Sequence, residues 1–161
     1  MVESAEPIAF VRRGRPPTSN RNVGSRGAAF ATDLHRLYRA TGAPHLSGPL
    51  YGIVHHFVVG YDPHRDADAG AASKRVWDSL KGVAYDDDRD VVLRVSSRID
   101  VGPAARSEVS QIDVTNAPSE ALDELMSAIE EGKEQFLYIE VGPYRPSMVP
   151  FGLAIMEGWT G

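Results

Sequence analysis

The sequence predicts an α/β fold, a single domain in which helices pack against a mixed β-sheet. Two observations lead to this prediction. Segments with the residue pattern of a strand alternate along the chain with segments that carry a helical stripe of apolar residues. The chain has 161 residues, of which 42% are hydrophobic and 24% charged, and this size and balance are typical of one globular domain.

The N-terminal segments predict a strand, a loop and a helix. Residues 7–13 (PIAFVRR) have the composition of a short strand, and the chain from there to Gly27 is too rich in Pro, Gly, Ser and Asn for regular structure. From Ala28 to Thr41 apolar residues recur at helical spacing, and Gly42 is a typical stop. The stripe consists of Phe30, Leu34, Leu37 and Tyr38.

The middle of the chain predicts two strands that flank a helix. Residues 51–61 are rich in Val, Ile, Phe and Tyr without a helical stripe, which indicates a largely buried strand. An acidic turn at 66–70 precedes a helix that ends at Gly82. Residues 91–100 then alternate apolar and polar side chains, which is typical of a strand with one solvent-exposed face. The inner stripe of the helix is Ala72, Val76, Trp77 and Leu80.

The C-terminal part predicts one more helix and one more strand. After the turn at Gly102 and Pro103, residues 106–114 are expected to pair back as a hairpin. Residues 116–132 have the pattern of a capped helix, with Ser119 as the N-cap and Gly132 as the stop. Residues 136–141 form the last predicted strand, and the proline-containing tail is irregular.

The composition excludes several classes of site. Because the chain has no cysteine, it cannot form disulfides, thiolate zinc sites or a cysteine nucleophile. Any metal would be held by carboxylates, histidines or main-chain oxygens, which favours magnesium or manganese. No apolar run approaches the roughly 18 to 20 residues that span a bilayer, and the N-terminus lacks a signal pattern. We therefore expect no membrane partner and a cytoplasmic location.

Carboxylates gather in the sequence where predicted elements end. Asp66 and Asp68 follow a strand, Asp86–Asp88 precede the next strand, and Lys74 lies on the helix between them. Loops can bring such side chains together, and clustered carboxylates repel one another unless a cation lies between them. A divalent metal and a lysine there would suit phosphodiester hydrolysis. The alternative is that the aspartates form solvated turns and that Lys74 is a surface lysine.

Two motifs resemble those of the RusA-type Holliday-junction resolvases. Residues 66–92 (DADAGAASKRVWDSLKGVAYDDDRDVV) are similar to that family's Asp-x-Asp turn, lysine-bearing helix, Gly-Val segment and Asp-Asp pair before a Val-rich strand. The segment from Gly14 to Arg21 (GRPPTSNR) is similar to its Pro-Pro-Ser-x-Asn-Arg loop. The resemblance covers about residues 7–114, which leaves 115–161 as a helix-strand extension with a tail.

The resemblance implies an activity, a cofactor and partners. The activity would be Mg²⁺-dependent cleavage, with Mn²⁺ as a substitute, of four-way or other branched DNA by a homodimer. Asp66, Asp68 and Asp88 would bind the metal, with Asp87 as the alternative to Asp88, and Lys74 would be the functional lysine. The sequence departs from the family pattern at Ala69, where the family has asparagine, and in a longer spacing from Asp68 to Lys74.

Several residues in and around the motifs, most of them basic, are candidates for DNA contact. Basic side chains crowd the first 26 residues although the net charge is -5, and acidic ones crowd residues 120–134. The candidates for phosphate contact are Arg13, Arg15, Asn20, Arg21, Arg26 and Lys74.

The sequence also allows roles for other side chains and two alternative functions. His55 and His56 are consecutive in a strand, so they should point to opposite faces and take core or cross-strand roles. His64 is a further candidate for phosphate contact. Trp77 and Tyr85 are expected in the core, with stacking on bases as the alternative. The alternative functions are a RusA-like DNA-binding protein whose metal site has decayed and a protein-interaction module that uses the acidic C-terminal helix.

Overall fold

Helices and strands alternate along the chain. The structure, a computed structural model, describes residues 6–18, 25–102 and 117–149. Short 3-10 helices lie at Asp88–Asp90 and Pro146–Met148. The longer elements are β1 (Ile8–Arg13), α1 (Ser25–Ala40), β2 (Leu50–Val58), α2 (Ala69–Leu80), β3 (Val91–Asp100), α3 (Ser119–Glu131) and β4 (Phe136–Pro143).

The strands form one mixed sheet in the order β1–β4–β2–β3. β2 and β3 are parallel, and β4 runs antiparallel to both β1 and β2. The prediction of a single α/β domain with a mixed sheet is confirmed. Among the described residues, no helix is both long and apolar enough to cross a membrane.

The C-terminal strand β4 is the middle of the fold. It lies between β1 and β2, and every residue from Phe136 to Gly142 is buried. The segment 115–161, which the resemblance does not cover, therefore supplies a central strand of the sheet. Within the described residues, β1 is joined to β2 and β3 only through β4.

Helices cover the two faces of the sheet unequally. α1 and α2 pack on one face, where Phe30, Leu34 and Trp77 meet alternate strand residues such as Ile8 and Val54. α3 packs on the other face, through a smaller cluster formed by Ala9, Val11, Phe57, Phe136 and Tyr138 with Ala121, Leu125 and Ala128. Successive residues of β1 thus point to different clusters, as the two-residue period of a strand requires.

The predicted boundaries are close to the observed ones, with small differences. The strand predicted to reach Tyr61 ends at Val58, because Gly60 has a φ of 68° and turns the chain. α1 begins at Ser25, three residues before the predicted start. The prediction of Ser119 as an N-cap is wrong: Pro118 occupies that position, and no side chain caps the helix. The predicted hairpin at 106–114 lies outside the described residues.

Candidate active site

The sheet has two ends, and the predicted site residues are divided between them. At one end β1 and β2 finish and β4 begins, and α2 starts there after Asp66 and Asp68. We call this the Asp66 end. At the other end β2 and β3 begin, with Leu50 paired to Val91, and Asp88 lies there. We call this the Asp88 end.

Asp66 is a buried carboxylate with several donors around it. Its side chain is only 1% exposed. Oδ2 accepts the backbone N–H of Asp62 at 2.8 Å, and Oδ1 accepts the side-chain amide of Gln135 at 2.7 Å. Arg15 Nε lies 3.1 Å from the same Oδ1. These donors compensate the loss of water around the charge.

The donors decide the charge state of Asp66. Burial by itself raises the pKa of this carboxyl, but the Asp62 backbone N–H, the Gln135 amide and the positive charges of Arg15 and Arg65 outweigh it. The net result is a lowered pKa. Asp66 is therefore an anion at neutral pH, the form that binds a metal ion.

Gln135 connects Asp66 to a fully buried histidine. Because the amide nitrogen of Gln135 donates to Asp66, its oxygen accepts from Nε2 of His56, at 2.9 Å. Nε2 then carries the proton of a neutral ring. Nδ1 of His56 is buried and has no hydrogen-bond partner among the described residues. Burial, together with the charge of Arg98, lowers the pKa of His56 despite the opposing effects of Gln135 and Asp66.

Arg15 is held near Asp66 by the preceding strand. Arg12, at the end of β1, donates to the carbonyl oxygens of Gly14 and Arg15, both at 3.1 Å. Arg12 also pairs with Asp33 on α1, and its guanidinium lies 4.7 Å above the Phe30 ring. The loop that carries the first motif is thus attached to both the sheet and α1.

Asp68 has a structural role at the start of α2. It is the N-cap, and its Oδ1 accepts the backbone N–H of Ala71 at 2.7 Å. The residue is exposed, two positions from Asp66 at the same end of the sheet. Lys74, further along α2, forms an exposed ion pair with Asp78 at 2.7 Å.

Asp88 lies at the opposite end of the sheet, where it contacts Arg94. Arg94 Nη2 lies 3.2 Å from its Oδ2, and the same nitrogen donates to the Asp88 carbonyl. Asp87 caps the short 3-10 helix and pairs with Arg89 and Lys81. The backbone N–H and the guanidinium of Arg89 lower the pKa of Asp87 strongly.

The three predicted metal ligands do not meet within one chain. α2 has 12 residues and is therefore about 18 Å long. It runs from the Asp66 end to the Asp88 end, so this length separates Asp68 from the turn that leads to Asp88. Within residues 6–18, 25–102 and 117–149, no group of three His, Asp or Glu side chains could hold one metal ion.

The predicted DNA-contact residues are placed unevenly. Arg13 points to α3, where it pairs with Glu124 at 2.7 Å and with Glu131. Burial opposes but does not cancel the effect of the Glu124 hydrogen bond, and the pKa of Arg13 is raised. Arg26 is exposed in the first turn of α1. Asn20 and Arg21 lie outside the described residues.

The histidines and aromatic residues follow the sequence predictions. His56 is buried on the face that α1 and α2 cover. His55 lies on the other face, where it bonds Ser97 and stacks on Tyr138. Trp77 and Tyr85 are fully buried, so the prediction of core roles is confirmed. His64 is exposed, and its phosphate contact stays a prediction.

Sequence reasoning missed Gln135 and Arg12 as members of this site. Gln135 occurs in a polar stretch (EGKEQ) between α3 and β4, where nothing distinguishes it from a loop residue. Only the antiparallel pairing of β4 with β2 and β1 brings it to Asp66. For Arg12 a signal existed, because it lies near the end of a predicted strand, two residues before Gly14, where the glycine-proline loop begins.

The comparisons with known proteins add no assignment. No protein-family model matches the chain, and no curated protein matches it. The two motifs and the geometry of the two ends of the sheet are therefore the features that indicate a function.

Proposed function

We propose that the chain is a magnesium-dependent endodeoxyribonuclease of the RusA type that cuts four-way or other branched DNA as a homodimer. The contact between Arg15 and Asp66 carries this proposal. These residues belong to the two separate motifs on which the resemblance rests. The motifs are far apart in the sequence, and their convergence at one end of the sheet is what a shared site requires.

Asp66 and Asp68 fit the ligand preference of magnesium. This ion usually takes one or two protein carboxylates and keeps its other positions for water and phosphate oxygens. Asp66 is already ionised, and Asp68 uses Oδ1 as the helix cap. Bound magnesium would activate a water and neutralise charge on the phosphate, and manganese takes the same oxygen ligands.

The basic residues of the Asp66 end would hold DNA. Arg15 contacts Asp66 but keeps 48% of its side chain exposed, and Arg26 is exposed in the first turn of α1. Asn20 and Arg21 belong to the same motif loop as Arg15. Their contacts would be to phosphates and thus independent of base sequence. Lys74 would hold the scissile phosphate after exchange of its exposed partner Asp78, because an exposed ion pair of this kind contributes little.

Asp88 would come from the second chain of the homodimer. In a two-fold dimer, a residue at the Asp88 end of one chain can approach the Asp66 end of the other. Each of two equivalent sites would then combine Asp66 and Asp68 of one chain with Asp88 of the other. In this arrangement the three carboxylates of the motif can meet at one metal ion, although α2 keeps them apart within each chain.

Cleavage of a labelled four-way junction by the full chain tests the activity. We expect nicking in Mg²⁺ or Mn²⁺ that EDTA abolishes. Asp66→Asn should lower the rate by at least roughly a hundredfold, because a lost ligand weakens transition-state stabilisation by several kcal/mol. Asp86→Asn is the matched control, since the Asp86 side chain is 90% exposed and, within the described part of the chain, bonds only His45. Comparing the nicking rates of Asp87→Asn and Asp88→Asn decides which of these two aspartates is the metal ligand. Absence of nicking by the wild-type chain would refute the activity.

Mixing inactive variants tests the shared site. Asp66→Asn and Asp88→Asn chains, combined in equal amounts, form heterodimers with one site that carries both changes and one that carries neither. Nicking should recover to about a quarter of the wild-type value, since half of the dimers are heterodimers and half of their sites are intact. The control mixture of Asp66→Asn and Asp68→Asn should stay inactive. If neither mixture recovers while the wild type cleaves, the shared site is wrong.

A second candidate is a DNA-binding protein without cleavage. The observation that favours it is that both carboxylates at the Asp66 end already have structural partners: Asp66 accepts from Asp62 and Gln135, and Asp68 caps α2. Binding to junction DNA without nicking in either metal would support this candidate.

A further inference from the structure

The outer edge of β1 has no strand partner among the described residues. Within that part of the chain, β1 is the terminal strand of the sheet and pairs only with β4. In the part of the chain that the structure describes, no backbone group of Ile8–Val11 bonds outside the β1–β4 ladder. Proteins usually protect such an edge with a charge, a proline or a covering segment, because it is a template for another strand. Ile8–Val11 contain neither lysine nor proline.

A groove runs along this edge between two helices. Its volume is about 920 Å³, and consecutive residues from Glu6 to Val11 form its floor. The C-terminal part of α1 forms one wall and the first turns of α3 form the other. Small side chains, Ala40 on α1 and Ala121 on α3, leave the space open. The groove thus gives access to the Ile8–Val11 part of the β1 edge, about 13 Å of extended chain.

The two walls differ in chemistry. The α1 wall is apolar, with Leu37 and Ala40 on the helix and Leu46 beyond it. The α3 wall carries Glu120 and Glu124, and Glu6 lies at the start of the floor. Glu124 already pairs with Arg13, whereas Glu120 is exposed and makes no ion pair within residues 6–18, 25–102 and 117–149. None of the lysines and arginines that the structure describes lines the groove.

We propose that this groove binds an extended peptide segment of another protein, which adds a strand to the sheet beside β1. Alternate side chains of a strand point to opposite faces. The segment would therefore present apolar side chains to the α1 wall and basic side chains to Glu120 on the α3 wall.

The charges favour such a partner over a second copy of this chain. Two copies paired through β1 would bring the same carboxylates, Glu6, Glu120 and Glu124, to the interface from both sides. Like charges that face each other weaken an interface, whereas a basic segment complements them. This surface is separate from the Asp66 end, so the inference does not depend on nuclease activity.

The probe for this proposal is the peptide acetyl-Val-Lys-Val-Lys-Val-Lys-amide, titrated into the full chain. We expect saturable binding at least about threefold tighter than that of the same peptide with Glu in place of Lys. Glu120→Lys should weaken binding by at least about threefold. Asp123→Lys is the matched control, because it makes the same charge change at an exposed position of α3 outside the groove. Equal binding of both peptides, or equal effects of both variants, would overturn the proposal.

N-methylated peptides test whether the peptide pairs as a strand. Alternate N–H groups of a strand point to the same side, so methylation at the valines and methylation at the lysines cannot both be tolerated. One should abolish binding and the other should preserve it. Tolerance of both would show that the peptide does not extend the sheet.

Two further measurements test the other occupants. Leu153 and Ile155 are apolar residues of the C-terminal tail, which lies outside the described residues. If the double variant Leu153→Asp/Ile155→Asp binds the probe at least about tenfold more tightly than the wild type, this tail competes with the probe for the groove. If the probe dissociates a dimer of the full chain at the concentrations where it binds, the groove joins two copies. Either result overturns the proposal of a different protein as the occupant. Unchanged affinity and an unchanged oligomeric state support it.

Discussion

Asp66 shows how a single buried charge is stabilised by residues from three parts of the chain. The backbone of Asp62 is local, Arg15 follows β1, and Gln135 precedes β4. Gln135 in turn holds His56, so the carboxylate and the neutral imidazole are parts of one hydrogen-bond network. Removal of one member leaves another without a buried partner, which costs about 1 to 3 kcal/mol for an uncharged group.

The buried His56 makes stability depend on pH. Its pKa in the folded chain is lowered from the ordinary 6.5, so the unfolded chain binds a proton first as the pH falls. Stability is therefore complete above about pH 6.5 and declines below it. His56→Leu should reduce the slope of unfolding free energy against pH between 7 and 5 by up to about 1.4 kcal/mol per pH unit.

Urea unfolding at several pH values measures this slope. Asp66 and Asp87 also have lowered pKa values, but their contribution is lost only near and below the ordinary carboxyl value of 3.8, outside this window. His55, whose pKa burial also lowers, leaves a residual slope in the variant. Identical slopes in wild type and variant would contradict the prediction.

Gly52 is required by the close approach of α2 to β2. A Cβ atom at this position would lie closer than 3.0 Å to three carbons of the fully buried Trp77 ring. Gly52→Ala should therefore lower the free energy of unfolding by about 1 to 3 kcal/mol, the usual effect of overpacking a core. In the background of Trp77→Phe, which removes part of the ring, the same substitution should cost less. A double-mutant cycle by thermal unfolding checks this, and additive effects would show that the two residues are not in steric conflict.

At the scale of elements, α2 links structure to the proposed chemistry. It begins after its N-cap Asp68 and ends at Leu80, and it spans the distance between the two ends of the sheet. Ser73 on α2 bonds Ser96 on β3 at 2.6 Å, which helps to set its position. The helix that carries Lys74 is thus also the spacer that separates the predicted metal ligands.

Substitutions of Asp68 separate capping from metal binding. Asp68→Ala removes the cap and should cost about 1 kcal/mol of stability, whereas Asp68→Ser keeps a capping oxygen and should cost less. Both remove the carboxylate, so both should lose junction cleavage under the proposed function. Denaturant midpoints and nicking rates measured on the same preparations check this. Cleavage that follows stability across the two variants would show that Asp68 acts only as a cap.

At the scale of the whole molecule, the arginines at and after the end of β1 have different surroundings. Arg15 lies at the Asp66 end, whereas Arg13 is occupied by Glu124 and Glu131 of α3. A net charge of -5 is compatible with DNA binding only if the contact surface is locally basic. Arg13 and Arg15 therefore differ in what they can contribute to DNA binding.

Salt dependence of junction binding distinguishes these arginines. Each phosphate contact adds roughly 0.9 to the slope of log affinity against log salt concentration. Arg15→Ala should lower the slope by about this amount, whereas Arg13→Ala should leave it unchanged and reduce stability instead. Fluorescence anisotropy between 50 and 200 mM salt, roughly the range in which such slopes are resolved, measures it. An equal loss of slope in both variants would place Arg13 on the DNA surface.

The sequence by itself determined the identity of the elements and much of the core. Period and composition predict where β1, α1, β2, α2, β3, α3 and β4 lie, because those signals depend on the few residues of one segment and on which of its sides is apolar. The core roles of Trp77 and Tyr85 and the opposite directions of His55 and His56 follow in the same way.

Only the tertiary structure decided the strand order and the division of the carboxylates. The position of β4 between β1 and β2 is a matter of long-range pairing, which no local period specifies. That pairing brings Gln135 to Asp66 and His56. Likewise, Asp66, Asp68 and Asp88 are close in the sequence, yet α2 and the parallel pairing of β2 with β3 carry Asp88 to the opposite end of the sheet. Proximity along the chain does not become proximity in space when a rigid helix of about 18 Å lies between.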